Sequence, residues 1–234
     1  MIASEISPGA SVLEIGAGTG WQALELSRRG FQVSAIDLST SAHAKKRVYP
    51  ITDYDGCKIP YQDSSFDVAF SSNVLEHVRD FAGLMKEITR ILRPNGYCVH
   101  TMPTPVWRFW HSISGYADLP FFLLAAAKGQ VCARSLPRQI AARLVPVSHG
   151  KSCPSFVELW TYRRMHWAQA FVRNGFQVLK IVPMGLFYTG WSALGASLDI
   201  RARERVAAVL GSACALYVVK PVQASLSSSD LLGE

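Results

Sequence analysis

Roughly the first 100 residues alternate between short apolar runs and longer segments with one apolar face. Apolar runs of about four to eight residues predict buried strands, and apolar residues three or four apart predict helices. The predicted strands are Ser11–Ile15, 31–36, 66–71 and 97–101, and the predicted helices are 21–29 and 81–91. This alternation is typical of a parallel sheet with crossover helices on its faces.

The helix at 81–91 has the clearest start and stop. Its apolar residues recur at helical steps: Phe81, Leu84, Ile88 and Ile91. Asp80 stands where an N-cap carboxylate accepts a hydrogen bond from an unpaired backbone N–H of the first turn. Gly96 ends the segment after Pro94.

The alternation stops between 104 and 158. This stretch is aromatic, basic and interrupted by prolines, which indicates an insertion rather than another strand and helix. Regular patterns then resume with a helix near 162–174, a strand at 176–182, a helix near 200–210 and a last strand that ends at Pro221. A serine-rich tail follows at 222–234, and we expect it to be frayed.

Composition identifies a globular chain with an uneven charge. The 234 residues are 49% hydrophobic and 18% charged, with a mean hydropathy of +0.15, which excludes a disordered or fibrous protein. The formal net charge is −1 over residues 1–103 and +8 over 104–234. The second half is therefore expected to meet something anionic: a substrate, a lipid headgroup or nucleic acid.

The cysteines and the apolar segments indicate the cellular environment of the chain. The five cysteines are scattered without a C-x-x-C pair, and no histidines cluster at ligand spacing, so we expect neither disulfides nor a metal site. The amino terminus has no signal-peptide pattern. The segment 181–198 is uncharged but contains Pro183 and glycines, so we expect no membrane span. The prediction is a cytoplasmic protein, with peripheral contact at the inner membrane surface left open.

A glycine-rich loop is the strongest chemical signal. In VLEIGAGTG, Gly16, Gly18 and Gly20 lie between a predicted strand and a predicted helix, where backbone amides can approach a ligand. A dinucleotide fingerprint needs its third glycine one residue later, where Trp21 stands, so a nicotinamide or flavin site is disfavoured. The alternative is a tight turn that binds nothing.

Two carboxylates follow later strands of the predicted sheet. Asp37 closes the second strand, where a carboxylate can accept hydrogen bonds from both ribose hydroxyls. Asp55 lies in the loop before Ile59 and Pro60, where it could accept a hydrogen bond from an adenine amine. The alternatives are a helix cap for Asp37 and an Asx turn for Asp55.

Four segments, in this order and spacing, resemble class I S-adenosylmethionine-dependent methyltransferases of the small-molecule type with an FD...LEH signature. They are VLEIGAGTG, SAIDLS, DYDGCKIPYQDSSFDVAFSSNVLEHV and ILRPNGYCVHTMP. The resemblance covers 11–103 well and 167–221 weakly. It implies an α/β fold, a Rossmann-like and mostly parallel seven-stranded sheet with helices on both faces. We expect one domain over 1–221, with a substrate lid at 104–158 inserted after strand five.

The resemblance also implies a site for S-adenosylmethionine, which leaves as S-adenosylhomocysteine. The residues implied to bind it are Glu14, Gly16, Ala17, Gly18, Gly20, Asp37, Leu38, Asp55, Gly56, Ser72 and Asn73. Glu76 and His77 would follow next to the sulfonium. Members of the family usually have a helix before the first strand, whereas ten residues precede Ser11 here. Either the start is truncated or the insertion supplies this cover.

Methyl transfer to a hydroxyl needs a proton acceptor, and histidine titrates in the appropriate range. His77 is the first candidate, and His100 and His111 are the next. A locally satisfied histidine at a helix start is the alternative for His77.

The insertion is expected to select the acceptor. It contains six Lys and Arg residues but only two acidic residues, Asp118 and Glu158, together with many aromatic residues. Such a composition favours a small or lipid-like acceptor with an anionic part, or contact with an anionic membrane. An ordinary helical lid is the alternative, and nucleic acid is disfavoured because the basic residues form no stripe.

The predicted function is methyl transfer from S-adenosylmethionine to that acceptor, with O-methylation favoured. The other candidate is a methyltransferase-like protein that binds the cofactor without catalysis and serves as a scaffold or partner subunit. The sequence leaves the acceptor, the methylated atom and the oligomeric state open.

Overall fold

The computed structural model describes residues 1–132, 135–145, 149–150, 156–189 and 198–222. Seven strands are described: β1 (Ser11–Ile15), β2 (Gln32–Leu38), β3 (Thr52–Tyr54), β4 (Phe66–Ser72), β5 (Leu92–Pro103), β6 (Phe176–Pro183) and β7 (Cys214–Pro221). The described α-helices are α1 (Trp21–Arg28), α2 (Phe81–Ile91), α3 (Pro105–Ala127), α4 (Leu136–Leu144), α5 (Glu158–Thr161), α6 (Arg164–Arg173) and α7 (Ile200–Leu210).

The strands form one sheet in the order β3-β2-β1-β4-β5-β7-β6. Strands β1 to β5 pair in parallel, and β7 runs antiparallel to both of its neighbours. The strand order reverses between β1 and β4. Loops after the carboxyl ends of β1 and β4 therefore diverge there and leave a crevice. The expected mostly parallel, seven-stranded α/β fold is confirmed.

Both faces of the sheet are covered. On one face, Leu13 and Ile15 pack in a cluster with Leu84, Met85 and Ile88 of α2. On the other, Val12 packs in a cluster with residues that include Leu26 of α1. Alternate residues of β1 thus point into two different cores, which explains why the strand appears as a continuous apolar run in the sequence.

The segment after β5 forms helices, in agreement with the predicted insertion. α3 begins directly after the strand, and the Thr104 hydroxyl accepts a hydrogen bond from the Trp107 N–H as its N-cap. α3 packs against α4 and α5. Two buried ion pairs tie these helices together: Arg108 Nε lies 3.2 Å from Glu158 Oε2, and Arg143 Nη2 lies 2.9 Å from Asp118 Oδ2.

The structure differs from the predicted elements in a few places. The short edge strand β3 was not predicted, because three residues carry too little pattern. β2 continues through Asp37 to Leu38 rather than ending before it. Among the residues that the structure describes, no helix is long and apolar enough to cross a bilayer. Residues 190–197 of the segment 181–198 and residues 223–234 of the tail lie outside the described residues.

The N-cap of α2 provides a test of the local folding signals. The Asp80 carboxylate accepts a 2.8 Å hydrogen bond from the Gly83 N–H. Asp80→Ala should lower the free energy of unfolding by about 1 kcal/mol, because it leaves that amide without its cap. Asp80→Asn keeps an oxygen acceptor and should unfold like the parent in urea. Equal losses for both variants would contradict the cap.

Candidate functional site

The glycine loop after β1 is bound to the end of β2. The N–H groups of Gly16 and Ala17 both donate to the Ile36 carbonyl, at 2.9 and 3.0 Å. Gly16, Gly18 and Gly20 all have positive φ, at 72, 58 and 84°, which only glycine adopts at little cost. A Cβ on Gly16 would lie 2.6 Å from Val74 Cγ2. The loop therefore requires glycine for its conformation and, at Gly16, for space.

The side chain of Asp37, near the end of β2, also binds the glycine loop that follows β1. Its Oδ2 accepts a 3.1 Å hydrogen bond from the Gly18 N–H, and its Oδ1 accepts one of 2.8 Å from the Leu38 N–H. The side chain is almost fully buried, so these two amides hold the carboxylate in a fixed position. Each oxygen keeps a second lone pair for a ligand hydroxyl.

A cavity of about 510 Å³ lies at this edge of the sheet, in the crevice where the strand order reverses. It is lined by Gly16, Ala17, Gly18, Thr19, Gln22, Asp37, Leu38, Ser41, His43, Tyr54, Gly56, Ser72, Asn73, Val74, His77 and Val78. Its volume is that of a typical cofactor site. We call it the first cavity.

Eight of the residues that the resemblance implied for the cofactor line the first cavity. They are Gly16, Ala17, Gly18, Asp37, Leu38, Gly56, Ser72 and Asn73. His77 also lines it, and Thr19, Gln22, Ser41, His43 and Tyr54 are lining residues that sequence reasoning missed. Most of these missed residues belong to loops, in which no periodic pattern marks the side that faces the sheet.

Glu14, Gly20 and Asp55 do not line this cavity. Glu14 is buried and accepts a hydrogen bond from the Ala23 backbone in α1, and burial raises its pKa to about 8. A Cβ on Gly20 would face Tyr49. The Asp55 carboxylate accepts hydrogen bonds from two following N–H groups, those of Cys57 and Lys58, which lower its pKa. It thus forms the Asx turn that was the alternative interpretation.

Asn73 is held in an unusual conformation at the end of β4. Its φ is +52°, and its N–H donates to the Thr101 carbonyl at 2.9 Å. The side chain joins a closed set of contacts: Cys214 Sγ donates to Asn73 Oδ1 at 3.2 Å, Asn73 Nδ2 donates to Tyr188 Oη at 3.4 Å, and Tyr188 Oη lies 2.6 Å from Cys214 Sγ. Residues far apart in sequence thus fix the amide beside the first cavity.

The turn Leu75–His77 separates the first cavity from a second one. The second cavity, of about 260 Å³, is lined by Leu75, Glu76, Val78, Phe81, Gly150, Glu158, Thr161, Tyr162, His166, Trp167 and Ala170. Val78 lines both cavities, and His77 faces the first while Glu76 faces the second. The two cavities are therefore neighbours on either side of one short turn.

His149 comes from the insertion to lie against this turn. Its ring centroid is 4.8 Å from that of His77, and its Nε2 lies 3.9 Å from Glu76 Oε1. Glu158 holds the backbone here, because its Oε1 accepts hydrogen bonds from the N–H groups of His149 and Gly150, both at 2.6 Å. Its other oxygen faces Arg108.

Glu76 is a buried carboxylate within this group. Its side chain is 1% exposed, and neither carboxylate oxygen has a hydrogen-bond partner among the described residues. Burial, with the nearby charge of Glu158, raises the pKa of Glu76 to about 7.

The other histidines named as candidate bases do not line either cavity. His100 is fully buried, and its Nδ1 lies 2.7 Å from the Ser71 hydroxyl. Burial lowers the pKa of His100 to about 3. His111 stacks on Trp107, and burial together with Arg108 and His149 lowers its pKa to about 4. Of the three candidates, His77 alone lines the first cavity.

Comparison with known proteins agrees with this geometry. Residues 13–100, which contain the glycine loop, Asp37 and the Leu75–His77 turn, match a family model described as a methyltransferase domain. Residues 13–100 therefore form a methyltransferase domain of this family. Solved structures with the same fold include S-adenosylmethionine-dependent methyltransferases.

A solved structure has the same fold along most of this chain. The S-adenosylmethionine-dependent methyltransferase from Mesorhizobium loti superposes with a TM-score of 0.56 at 18% identity, covering 93% of this chain and 94% of that one. At this identity the similarity establishes the fold alone.

Curated relatives match only part of the chain. The glycine/sarcosine/dimethylglycine N-methyltransferase of Actinopolyspora halophila is 34% identical over 110 residues, which are 42% of this chain and 20% of the relative. The demethylmenaquinone methyltransferase of Corynebacterium efficiens is 34% identical over 105 residues, 44% of this chain and 46% of the relative. The chain thus spans less than half the length of either relative.

We expect substitutions of the two aspartates to have different effects on cofactor binding. Asp37→Ala should weaken S-adenosylhomocysteine binding by about 1 to 3 kcal/mol, roughly 5- to 150-fold, because it removes a carboxylate that lines the first cavity. Asp55→Ala should change the affinity less than about twofold, because that carboxylate only bonds its own turn. Titration calorimetry measures both. A larger loss for Asp55→Ala would reverse our assignment of the two residues.

Proposed function

We propose that this methyltransferase transfers the methyl group of S-adenosylmethionine to an oxygen of a small or lipid-like acceptor. The observation that carries the proposal is the pair of cavities that share Val78 on the two sides of the Leu75–His77 turn. The first has the volume and polar lining for the cofactor. The second has the size of a small ring system and aromatic walls.

The residues of the first cavity have distinct roles in this proposal. Asp37 accepts hydrogen bonds from the ribose hydroxyls, and the glycine loop offers space and amides to the methionine end. Asn73 and Ser72 lie beside the sulfonium. An acceptor oxygen attacks the methyl carbon in line while the carbon–sulfur bond breaks and its electron pair returns to sulfur. The protein chiefly aligns these atoms and excludes water.

The proton of the acceptor hydroxyl must leave for the reaction to proceed. His77 lines the first cavity and precedes Val78, which lines both cavities, so it is our candidate proton acceptor. A neutral amine attacks through its lone pair before it loses a proton, whereas a hydroxyl needs help with deprotonation during the attack. The hydroxyl is preferred because Glu76, His77 and His149 gather proton-accepting groups here.

The walls of the second cavity suggest the acceptor's chemistry. Phe81, Tyr162 and Trp167 supply aromatic surface, which favours an acceptor with a flat apolar part. The name of the Corynebacterium efficiens relative specifies demethylmenaquinone, a compound consistent with such a cavity.

The exposed side of α3 supports peripheral contact with an anionic membrane. Phe109, Ile113, Tyr116, Phe121, Leu123 and Leu124 are exposed on this helix. Its two ionised residues, Arg108 and Asp118, are instead buried. A large exposed apolar stripe is a feature of surfaces that meet lipid or protein.

Charge favours lipid as the occupant of this face. Between residues 104 and 198 the chain has two acidic residues, Asp118 and Glu158, and both are buried in ion pairs. The exposed ionised residues described in this stretch are therefore basic, and they include Lys128, Arg138, Arg163, Arg164 and Arg173. An apolar stripe among basic side chains complements anionic headgroups over acyl chains.

Cofactor binding is the first test of the proposed function. S-Adenosylhomocysteine at about 100 times its dissociation constant should stabilise the protein by about 2.7 kcal/mol, or roughly 5 to 10 °C in the thermal midpoint. NAD should give no shift, and the Asp37→Ala variant should need more ligand for the same shift. A folded protein that does not respond would overturn the proposal. A response without turnover of phenolic, quinol or amine acceptors would favour the non-catalytic scaffold instead.

Vesicle sedimentation tests the membrane contact. The protein should sediment with phosphatidylglycerol-containing vesicles at low salt and leave them at high salt, because screening weakens the attraction between basic residues and headgroups. A Phe121→Ser/Leu124→Ser double variant should bind more weakly. Leu179→Ser, at an exposed apolar residue of β6, should bind like the parent. No sedimentation at low salt, or equal losses in both variants, would contradict a role for α3.

A further inference from the structure

The group formed by Glu76, His77 and His149 has the donor set of a cation site. Each residue offers one ligand atom, and these atoms lie within 4.8 Å of one another. Glu76 Oε1 is 3.8 Å from His77 Nε2 and 3.9 Å from His149 Nε2. Two imidazoles and one carboxylate are ligands that divalent first-row metals accept, and they leave further coordination positions open.

We propose that these three side chains bind a divalent transition-metal ion of the zinc class. The widest of these separations, up to 4.8 Å, must shorten by roughly 1.3 to 1.8 Å, since ligand atoms about 2.0 to 2.2 Å from a metal lie roughly 3 to 3.5 Å apart. The two imidazoles are partly exposed, with side chains 36 and 39% accessible, and so have room for this adjustment. The sequence predicted no metal site, because His149 is far from the Leu75–His77 turn along the chain.

The burial of Glu76 is an independent observation that points to a ligand. A carboxylate that is 1% exposed normally accepts several hydrogen bonds, whereas both oxygens of Glu76 have none among the described residues. A bound cation would satisfy a buried carboxylate that the described residues leave without a hydrogen bond.

Contacts with neighbouring residues hold His149, the third ligand, in position. Glu158 accepts hydrogen bonds from the N–H groups of His149 and Gly150, and its second oxygen pairs with Arg108. The Trp107 ring packs edge-on against the His149 imidazole, with centroids 4.7 Å apart. These buried contacts are the kind of outer-shell support that orients ligands in metal sites.

The location gives the cation a function that rests on the proposed methyl transfer. His77 lines the first cavity and Glu76 the second, so a cation between them would contact an acceptor oxygen near the cofactor methyl group. A metal ion lowers the pKa of a coordinated hydroxyl, whose proton then passes to water. The resulting oxyanion attacks the methyl carbon while the carbon–sulfur bond breaks toward sulfur. His77 would then be a ligand rather than a base, and the acceptor would carry a metal-binding oxygen.

Metal binding is measured directly, without the acceptor. The chelator-treated protein should bind one Zn²⁺, followed with a competing chromophoric chelator. His149→Ala and Glu76→Gln should each weaken it at least about tenfold. His166→Ala removes a histidine that lines the same second cavity outside the group and should leave the zinc affinity unchanged. Equal affinities in all four proteins would overturn the proposal.

Two further measurements separate the possible failures. Co²⁺ in place of zinc should give a spectrum without a thiolate charge-transfer band, and such a band would assign the metal to a cysteine instead. The shift in thermal midpoint with S-adenosylhomocysteine should persist in His149→Ala and Glu76→Gln. A protein that responds to S-adenosylhomocysteine but binds no zinc keeps its proposed function and loses the cation site, whereas loss of the cofactor response in the parent removes both.

Discussion

The attachment of the glycine loop to the end of β2 is the constraint on which the site depends. The Ile36 carbonyl accepts from two amides of the loop, and the Asp37 carboxylate accepts from a third, that of Gly18. Because these three amides are paired, the loop turns sharply without leaving their N–H groups unsatisfied. The turn leaves the crevice between β1 and β4 open, and the first cavity occupies that crevice. Other parts of the site are arranged around this opening.

The insertion contributes to the site through buried electrostatics rather than through the sheet. Arg108 of α3 and Glu158 of α5 pair in the interior, and the same Glu158 holds the backbone at His149 and Gly150. Removing one partner of a buried ion pair typically costs about 3 to 5 kcal/mol, so the position of His149 is strongly coupled to the packing of these helices. Residues of the insertion thereby lie against the Leu75–His77 turn, which separates the two cavities. The insertion contributes Gly150 and Glu158 to the lining of the second cavity.

Three carboxylates show how far residue patterns in the sequence predict the position of a side chain. Asp37 follows a strong strand beside the glycine loop and lines the first cavity. Asp55 matched the same resemblance, yet its carboxylate is taken up by its own turn. Glu14 was assigned to the cofactor, but its side chain points into the interior, toward α1. A position near the end of a strand predicts at which edge of the sheet a residue lies. The face of the sheet to which its side chain points, and its local hydrogen bonds, decide what the side chain contacts.

The sequence by itself determined the fold class, most of the strands and helices, and the residues of the glycine loop. These features depend on local periodicity, capping and glycine conformation, which are properties of neighbouring residues. Only the tertiary structure decided that Cys214 and Tyr188 hold Asn73, that Glu76 is buried without a hydrogen-bond partner among the described residues, and that His149 reaches the Leu75–His77 turn. These contacts join segments far apart along the chain. Their geometry follows from how whole helices pack on the sheet, and no spacing between residues in the sequence encodes that packing.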